Sequence, residues 1–419
     1  MSPLRQSMVS VAALMLSVSV LLMGGGLLGT LVPVRANLEL FSGIDIGILG
    51  SFYFLGFTLG CLSGPLLIAR VGHIRTYLAF VCVAPIAALV HALSVDPWTW
   101  WLMRATTGFC FAVLFIVIES WLNERSDNAT RGTVFSIYMV INLTVLMIGQ
   151  MMLTLANPQT FALFAAAAIL FSLAALPVAM TKSQSPEPIP VIRPRLIRLY
   201  NLSPVGFMGC FAVGLANGAF WSLGAVFAMD RGLNTAGIAL FMSAVVLGGA
   251  IGQWPLGKIS DLVDRRYVIL ANCVGAALAA IALSLLPSSS ETSMLVAGFC
   301  FGAFALPLYA LSVAHTNDFT PATDYVETSS GLLLVLGLGS SIGPTLSSLL
   351  DSLTSGQALF MYTAVVHVVV GGFVVWRITR RAPVAVDDKG DFTATLVATQ
   401  TVAPIEEIKA PLAGAVATP

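Results

Sequence analysis

Charge is the scarcest thing in this chain. Only 10% of its 419 residues are Asp, Glu, Lys or Arg, against roughly 25% in a soluble domain. That scarcity excludes water as the main solvent. Acidic and basic residues balance at 20 each, which removes any bulk electrostatic case for nucleic acid or another polyanionic partner. Histidine is thin as well: His73, His91, His315 and His367 fall on distant segments, and no serine, histidine and aspartate set is placed for nucleophilic catalysis. The six cysteines (Cys61, Cys82, Cys110, Cys210, Cys273, Cys300) lie in apolar stretches with no CxxC spacing. Buried thiols behave as small hydrophobes, so the sequence predicts no disulfide and no metal site. An enzyme is not expected, nor a cofactor.

Apolar residues fill the space that charge leaves. The chain is 57% hydrophobic with a mean hydropathy of +0.91. Twelve apolar runs, each about long enough to cross a ~30 Å hydrocarbon core, fall near 9–32, 44–69, 76–94, 98–121, 131–155, 158–180, 201–229, 236–257, 267–286, 292–314, 327–350 and 355–378. The first ends in Val34-Arg35-Ala36 and imitates a signal peptide, but eleven further spans favour an uncleaved helix. The fold class expected is an all-α membrane protein of twelve transmembrane helices.

The sparse charges are unevenly distributed. With a cytoplasmic N-terminus, the inner loops and termini hold Arg5, Arg70, Arg75, Arg125, Arg131, Lys182, Arg193, Arg195, Arg198, Lys258, Arg265, Arg266, Arg377, Arg380, Arg381, Lys389 and Lys409. The outer loops hold Arg35 and Arg231. By the positive-inside rule both termini are cytoplasmic, and the chain is expected in the cytoplasmic (inner) membrane.

Four prolines and four basic residues between Thr181 and Tyr200 read as a cytoplasmic linker, 181–200, between an N-terminal six-helix bundle (1–180) and a C-terminal one (201–380). The Ala-, Pro-, Thr- and Val-rich tail, 381–419, is expected to be disordered. The halves look duplicated. Gly108-Phe109-Cys110-Phe111 recurs as Gly298-Phe299-Cys300-Phe301, and Pro65-Leu66 as Pro255-Leu256, both at an offset of 190. Two repeats facing each other across a midplane site is a transporter architecture.

Loop motifs carry a family resemblance. Gly257-Lys258-Ile259-Ser260-Asp261, followed by Arg265-Arg266, resembles the gating-loop motif of the major facilitator superfamily; the loop with Arg70, Gly72 and Arg75 keeps its basic part and lacks the acid. Arg104, Gly108 and Ala112, each four apart, resemble that family's second motif. Glu119-Ser120-Trp121-Leu122-Asn123, Gln253-Trp254-Pro255 and Gly337-Leu338-Gly339-Ser340-Ser341-Ile342-Gly343-Pro344 resemble its YcaD-like subgroup. The resemblance implies two pseudo-symmetric six-helix bundles, a monomer, and ion-coupled or facilitated movement of a solute.

Within the spans, Arg104 and Glu119 stand out. An intramembrane charge costs ~2.5 kcal/mol or more, so it marks a protein interior or a wet cavity. Fifteen residues of helix separate the two by roughly 22 Å. Arg104 reads either as a substrate or proton-relay residue or as a bridge between backbone carbonyls. Glu119 is expected to lock a gate by pairing with Arg70 or Arg75, with proton carriage as the alternative. At the offset of 190, Arg104 matches Met294 and Glu119 matches Tyr309, so coupling is assigned to the N-terminal half. Tyr53, Asn142, Asn217, Trp221 and His367 are cavity candidates, against the plainer reading of interhelical hydrogen bonds and packing. Gly339, Gly343 and Pro344 are expected to bend the eleventh span.

Two motifs are decoys. Gly252 to Lys258 spells most of a phosphate loop, but Ile259 replaces the magnesium-binding hydroxyl and no strand precedes it. Asn128-Ala129-Thr130 fits a glycosylation sequon on the wrong side of the membrane. The function expected is a secondary transporter that moves a small metabolite or drug-like solute by alternating access, proton-coupled and biased to efflux; its partners are that solute, protons and the lipid bilayer. The competing classes, a uniporter or uptake symporter of the same fold, a receptor or scaffold, and an intramembrane enzyme, would need a different coupling ion, a large soluble domain, or clustered catalytic groups.

Overall fold

The computed structural model describes residues 3–126, 131–180, 194–287, 290–354, 358–380, 382, 389, 390 and 392. The sequon at 128–130, most of the proline-rich linker and most of the tail fall outside them. Helices dominate, with no strand among the described residues. They are α1 (Pro3–Leu38), α2 (Gly43–Val71), α3 (His73–Leu93), α4 (Pro97–Arg125), α5 (Arg131–Met151), α6 (Ala162–Ala179), α7 (Leu196–Leu202), α8 (Pro204–Asp230), α9 (Thr235–Leu262), α10 (Arg265–Leu285), α11 (Glu291–Ala305), α12 (Leu308–Asn317), α13 (Tyr325–Leu353) and α14 (Ala358–Ile378). They supply 12 spans long and apolar enough to cross a membrane, as helices must where no water can satisfy the backbone.

Local chemistry sets the ends. Ser42 caps α2 in a capping box with Asp45, Asp96 caps α4 ahead of Pro97, and Ser203 and Asn234 cap α8 and α9. Between α2 and α3, Gly72 takes φ 85°, which costs glycine little and a side chain much. Two elements differ from expectation. The tenth span is broken into α11 and α12 by a turn at Leu306-Pro307, because proline lacks the N–H that would continue the helix. The linker's end forms α7, anchored to the start of α13 by Arg195–Glu327 and Arg198–Asp324 ion pairs of 2.8 and 2.5 Å.

Close backbone approach at glycines reveals the duplication. A Cβ on Gly56 or Gly60 of α2 would meet the carbonyls of Ala105 or Phe109 on α4, and one on Gly108 would meet that of Tyr53. In the second half, Gly248 and Gly252 of α9 lie against Phe299 and Ala303 of α11, and Gly302 against Val245. Such small-residue contacts let membrane helices pack on dispersion and weak polar contacts. They also set the true register: Gly56 matches Gly248 at an offset of 192, and Gly108 matches Gly302 at 194. The sequence offset of 190 is therefore one turn out in α11. Arg104 matches Gly298 rather than Met294, and Glu119 matches Val313 rather than Tyr309. Neither position is charged, so the asymmetry between the halves survives the correction.

The halves meet along α2 and α13. Gly47 and Gly50 face Ser348 and Pro344, and Gly337 faces Thr58. Ser51 and Thr345 share a hydrogen bond of 2.8 Å, Asn37 donates to Asp230 at 3.0 Å, and Ser243 donates to Gln150 at 3.3 Å. Each of these bonds lies toward the face opposite the one where α1 starts, which is also the face of Arg70, Arg75 and α7.

Candidate functional site

The central cavity has a volume of about 110 Å³ and is built from both halves. Leu22, Gly25, Gly26, Gly29 and Thr30 come from α1, Tyr53 and Phe54 from α2, and Arg104, Thr107, Phe111 and Phe115 from α4. Leu146 and Gln150 of α5 complete the first half's share, with Trp221 and Ser222 of α8 and Met242 of α9 opposite. Gly29 on α1 leaves room, with no neighbour within 4 Å of where a Cβ would stand.

Among the described residues, Arg104 is the one ionised side chain on that wall. It is 6% exposed, and its guanidinium carbon sits 4.4 Å from the centroid of the Tyr53 ring. A cation over an aromatic face gains roughly 0.5–2 kcal/mol, less than or about equal to the ~2.5 kcal/mol or more that the buried charge costs. Arg104 forms no ion pair with the described residues, and its Nε has no hydrogen-bond partner. No hydrogen bond from Arg104 to a backbone carbonyl is present among the described residues.

The structure thus brings together Arg104, Tyr53 and Trp221 from the sequence candidates. Asn142, Asn217 and His367 are buried but do not line this cavity. His367 bonds through Nδ1 to the Thr363 carbonyl at 2.6 Å and sets its ring against Phe301, a satisfied core histidine. Thr30, Gln150 and Ser222 escaped the sequence reading because short polar residues in apolar helices usually bond their own preceding turn. Thr30 and Ser222 do so, to Gly26 and Gly218; only the fold shows which of them faces a cavity.

Glu119 differs from expectation in its partner. It is 6% exposed and accepts a hydrogen bond from the Tyr138 hydroxyl of α5 at 3.4 Å. Arg70 and Arg75 are exposed, and neither pairs with Glu119. The helix turns the carboxylate inward, toward α5, while the loop arginines turn outward.

The gating-loop motif is intact after α9. Arg265 is 1% exposed; its Nε donates to Asp318 at 2.8 Å and its Nη1 to Asp261 at 3.0 Å and to Ser260 at 2.8 Å. Asp318, at the end of α12, had no signal in the sequence. Burial pushes its carboxyl above the ordinary value, and Arg265 offsets part of that rise. Burial also pushes Asp264 up, but hydrogen bonds and charge from Arg266 outweigh it and leave the carboxyl below its ordinary value; the pair is 2.7 Å apart. In the first half, His73 occupies the start of α3 as Arg265 does that of α10, and its Nε2 shares a 2.9 Å hydrogen bond with Ser120.

The tail contributes to this motif, contrary to the expectation of disorder throughout 381–419. Phe392 donates its N–H to Asp261 at 3.0 Å, Lys389 donates to the Val263 carbonyl at 2.5 Å, and Arg265 donates to the Gly390 carbonyl. The Phe392 ring fills the notch left by the missing side chain of Gly257. Gly339 and Gly343 meet the carbonyls of Phe211 and Leu215 on α8, and α13 runs unbroken through Pro344. Those residues serve close packing in this structure.

Comparison with known proteins agrees with the geometry. An MFS-type transporter of Yersinia pestis (strain Pestoides F) is 27% identical over 341 residues, covering 80% of this chain and 87% of that protein. The MFS-type transporter YcaD of Escherichia fergusonii is 26% identical over 339 residues, with 80% and 87% covered. Among solved structures, the nucleoside transporter NupG superposes with a TM-score of 0.72 at 14% identity, covering 91% of this chain and 100% of that one. A bacterial homologue of the human lysosomal transporter Spinster, inward-facing and occupied, gives 0.73 at 17% identity, covering 93% and 99%. The sequence profile described as Major Facilitator Superfamily matches residues 14–294 and 206–414. A twelve-span helical protein with two glycine-packed halves around a central cavity, matched along nearly its whole length, belongs to the Major Facilitator Superfamily.

Proposed function

We propose that the protein is a proton-coupled secondary transporter of the cytoplasmic membrane, with both termini in the cytoplasm, that exports a small solute by alternating access. The observation that carries the reading is the central cavity shared by both halves. Helices α8 and α9 face α1, α2, α4 and α5 across it, so rocking one half against the other changes which face the cavity opens to. The hydrogen bonds between halves toward one face are the contacts such a motion would break. Arg104 is assigned to solute binding, and Glu119, a carboxylate buried in a span beside Tyr138, to proton carriage. The basic loops support the orientation.

The test is internal pH and solute flux in proteoliposomes of known orientation, screened against pools of metabolites and antimicrobials. Solute-dependent proton movement is expected in the wild type. Glu119→Gln should keep solute binding and lose proton movement; Arg104→Ala should lose both. Solute flux unaccompanied by protons would overturn the coupling, and no flux of any tested solute would count against transport itself.

A further inference from the structure

The wall of the central cavity carries a positive charge and no carboxylate to match it. Arg104 carries five N–H groups, and its guanidinium rests on Tyr53 with no carboxylate on the cavity wall. The hydroxyl hydrogens of Thr30, Thr107 and Ser222 are already committed to helix carbonyls one turn back. Unspent donors remain on Arg104, which asks an occupant for one negative charge on oxygens that can accept them. Between the polar groups stand Phe54, Phe111, Phe115 and Met242, a surface suited to an apolar body.

We infer that this cavity binds a small organic monoanion, a monocarboxylate with an apolar body whose oxygens meet Arg104. The inference rests on reading the cavity as the transport site. A guanidinium takes a carboxylate side-on through two parallel hydrogen bonds, and one arginine neutralises one charge, which disfavours dianions such as phosphate esters. The cavity, about 110 Å³ and only half enclosed, leaves room for a small apolar body beside the carboxylate. Because Arg104 belongs to one half and Trp221, Ser222 and Met242 line the cavity from the other, an occupant touches both, and its arrival and release change the interface across which the halves move.

Binding to the purified full-length protein in detergent, at fixed ionic strength, tests this apart from transport. The probes are sodium propionate and sodium benzoate, against propionamide, benzamide and benzylammonium of matched size. Isothermal titration should show saturable binding of at least one acid, with its amide and the amine at least tenfold weaker. Arg104→Gln should weaken the acid at least tenfold and Arg104→Lys less, while Gly372→Ala, remote from the cavity and with nothing within 4 Å of the added Cβ, stays within threefold. Amide binding equal to acid binding in the wild type overturns the inference without recourse to any variant, as does an unchanged Arg104→Gln. Absence of binding by both acids overturns it too; a flux of neutral or cationic solute in proteoliposomes would then leave the transporter reading standing.

Discussion

At the scale of single residues, the sequence exposes what is costly and hides what is cheap. Arg104 stands out because a charge in hydrocarbon needs an explanation and its own helix offers no partner within reach. Tyr53 and Trp221 were legible as large polar aromatics at membrane depth. Glu119 was equally visible, yet its partner was not: neighbouring loops suggested Arg70 or Arg75, and helix rotation gave Tyr138 instead. Glycines show the same contrast. A Cβ on Gly108 would collide with the Tyr53 carbonyl, whereas one on Gly372 meets nothing within 4 Å. Gly108→Ala should cost about 1–3 kcal/mol through forced separation of α2 and α4, and Gly372→Ala should stay within about 0.5 kcal/mol. Thermal unfolding of the two variants in detergent checks the pair; equal melting temperatures would show that α2 and α4 can part freely.

At the scale of elements, helix positions were legible to within a few residues because length and hydropathy report them directly. Register was not. The recurrence of Gly-Phe-Cys-Phe aligned the halves at 190, but apolar helices reuse a small alphabet, and the alignment that packing obeys is carried by glycines facing carbonyls. The turn at Leu306-Pro307 was hidden for a related reason, since both fragments are apolar and hydropathy passes smoothly over the break. The α9–α10 turn gives a pH prediction. The Asp264 carboxyl lies below its ordinary value, so its contribution to stability is present above the unfolded-state pKa and is lost as pH falls through the lower folded-state value. Asp264→Asn, which keeps a capping oxygen and removes the charge, should melt earlier than wild type at a pH of about 7. The difference should close as the pH drops below about 3.8, the carboxyl's unperturbed value. A difference that persists under acid would assign the effect to packing.

At the scale of the whole molecule, the two halves are tied by side chains whose loss leaves each half intact. Ser51 and Thr345 touch at 2.8 Å across α2 and α13. Ser51→Cys with Thr345→Cys, oxidised in membranes, should form a crosslink that stops solute flux and releases it on reduction; each single variant should transport throughout. Full flux in the crosslinked protein would mean that separation at this face is no part of the cycle. Asp230→Ala, which removes the acceptor for Asn37, should act in the opposite sense, raising access from that face as read by labelling of a cysteine placed at Thr345. Neither pair was predictable from the sequence, because each joins residues from different bundles, about 190–290 positions apart.

The docking of residues 389–392 on the α9–α10 turn also bears on how the molecule is made. During synthesis Arg265 emerges 53 residues before Asp318 and 125 residues before Gly390. At about 5–20 residues per second, the ribosome delivers Gly390 roughly 6–25 seconds later. Until Asp318 follows, roughly 3–11 seconds after Arg265, the guanidinium must be held by Ser260, Asp261, water and headgroups alone, while its two spans are already entering the bilayer. A nascent chain arrested before residue 390 therefore carries a bundle whose buried Arg265 is still one acceptor short.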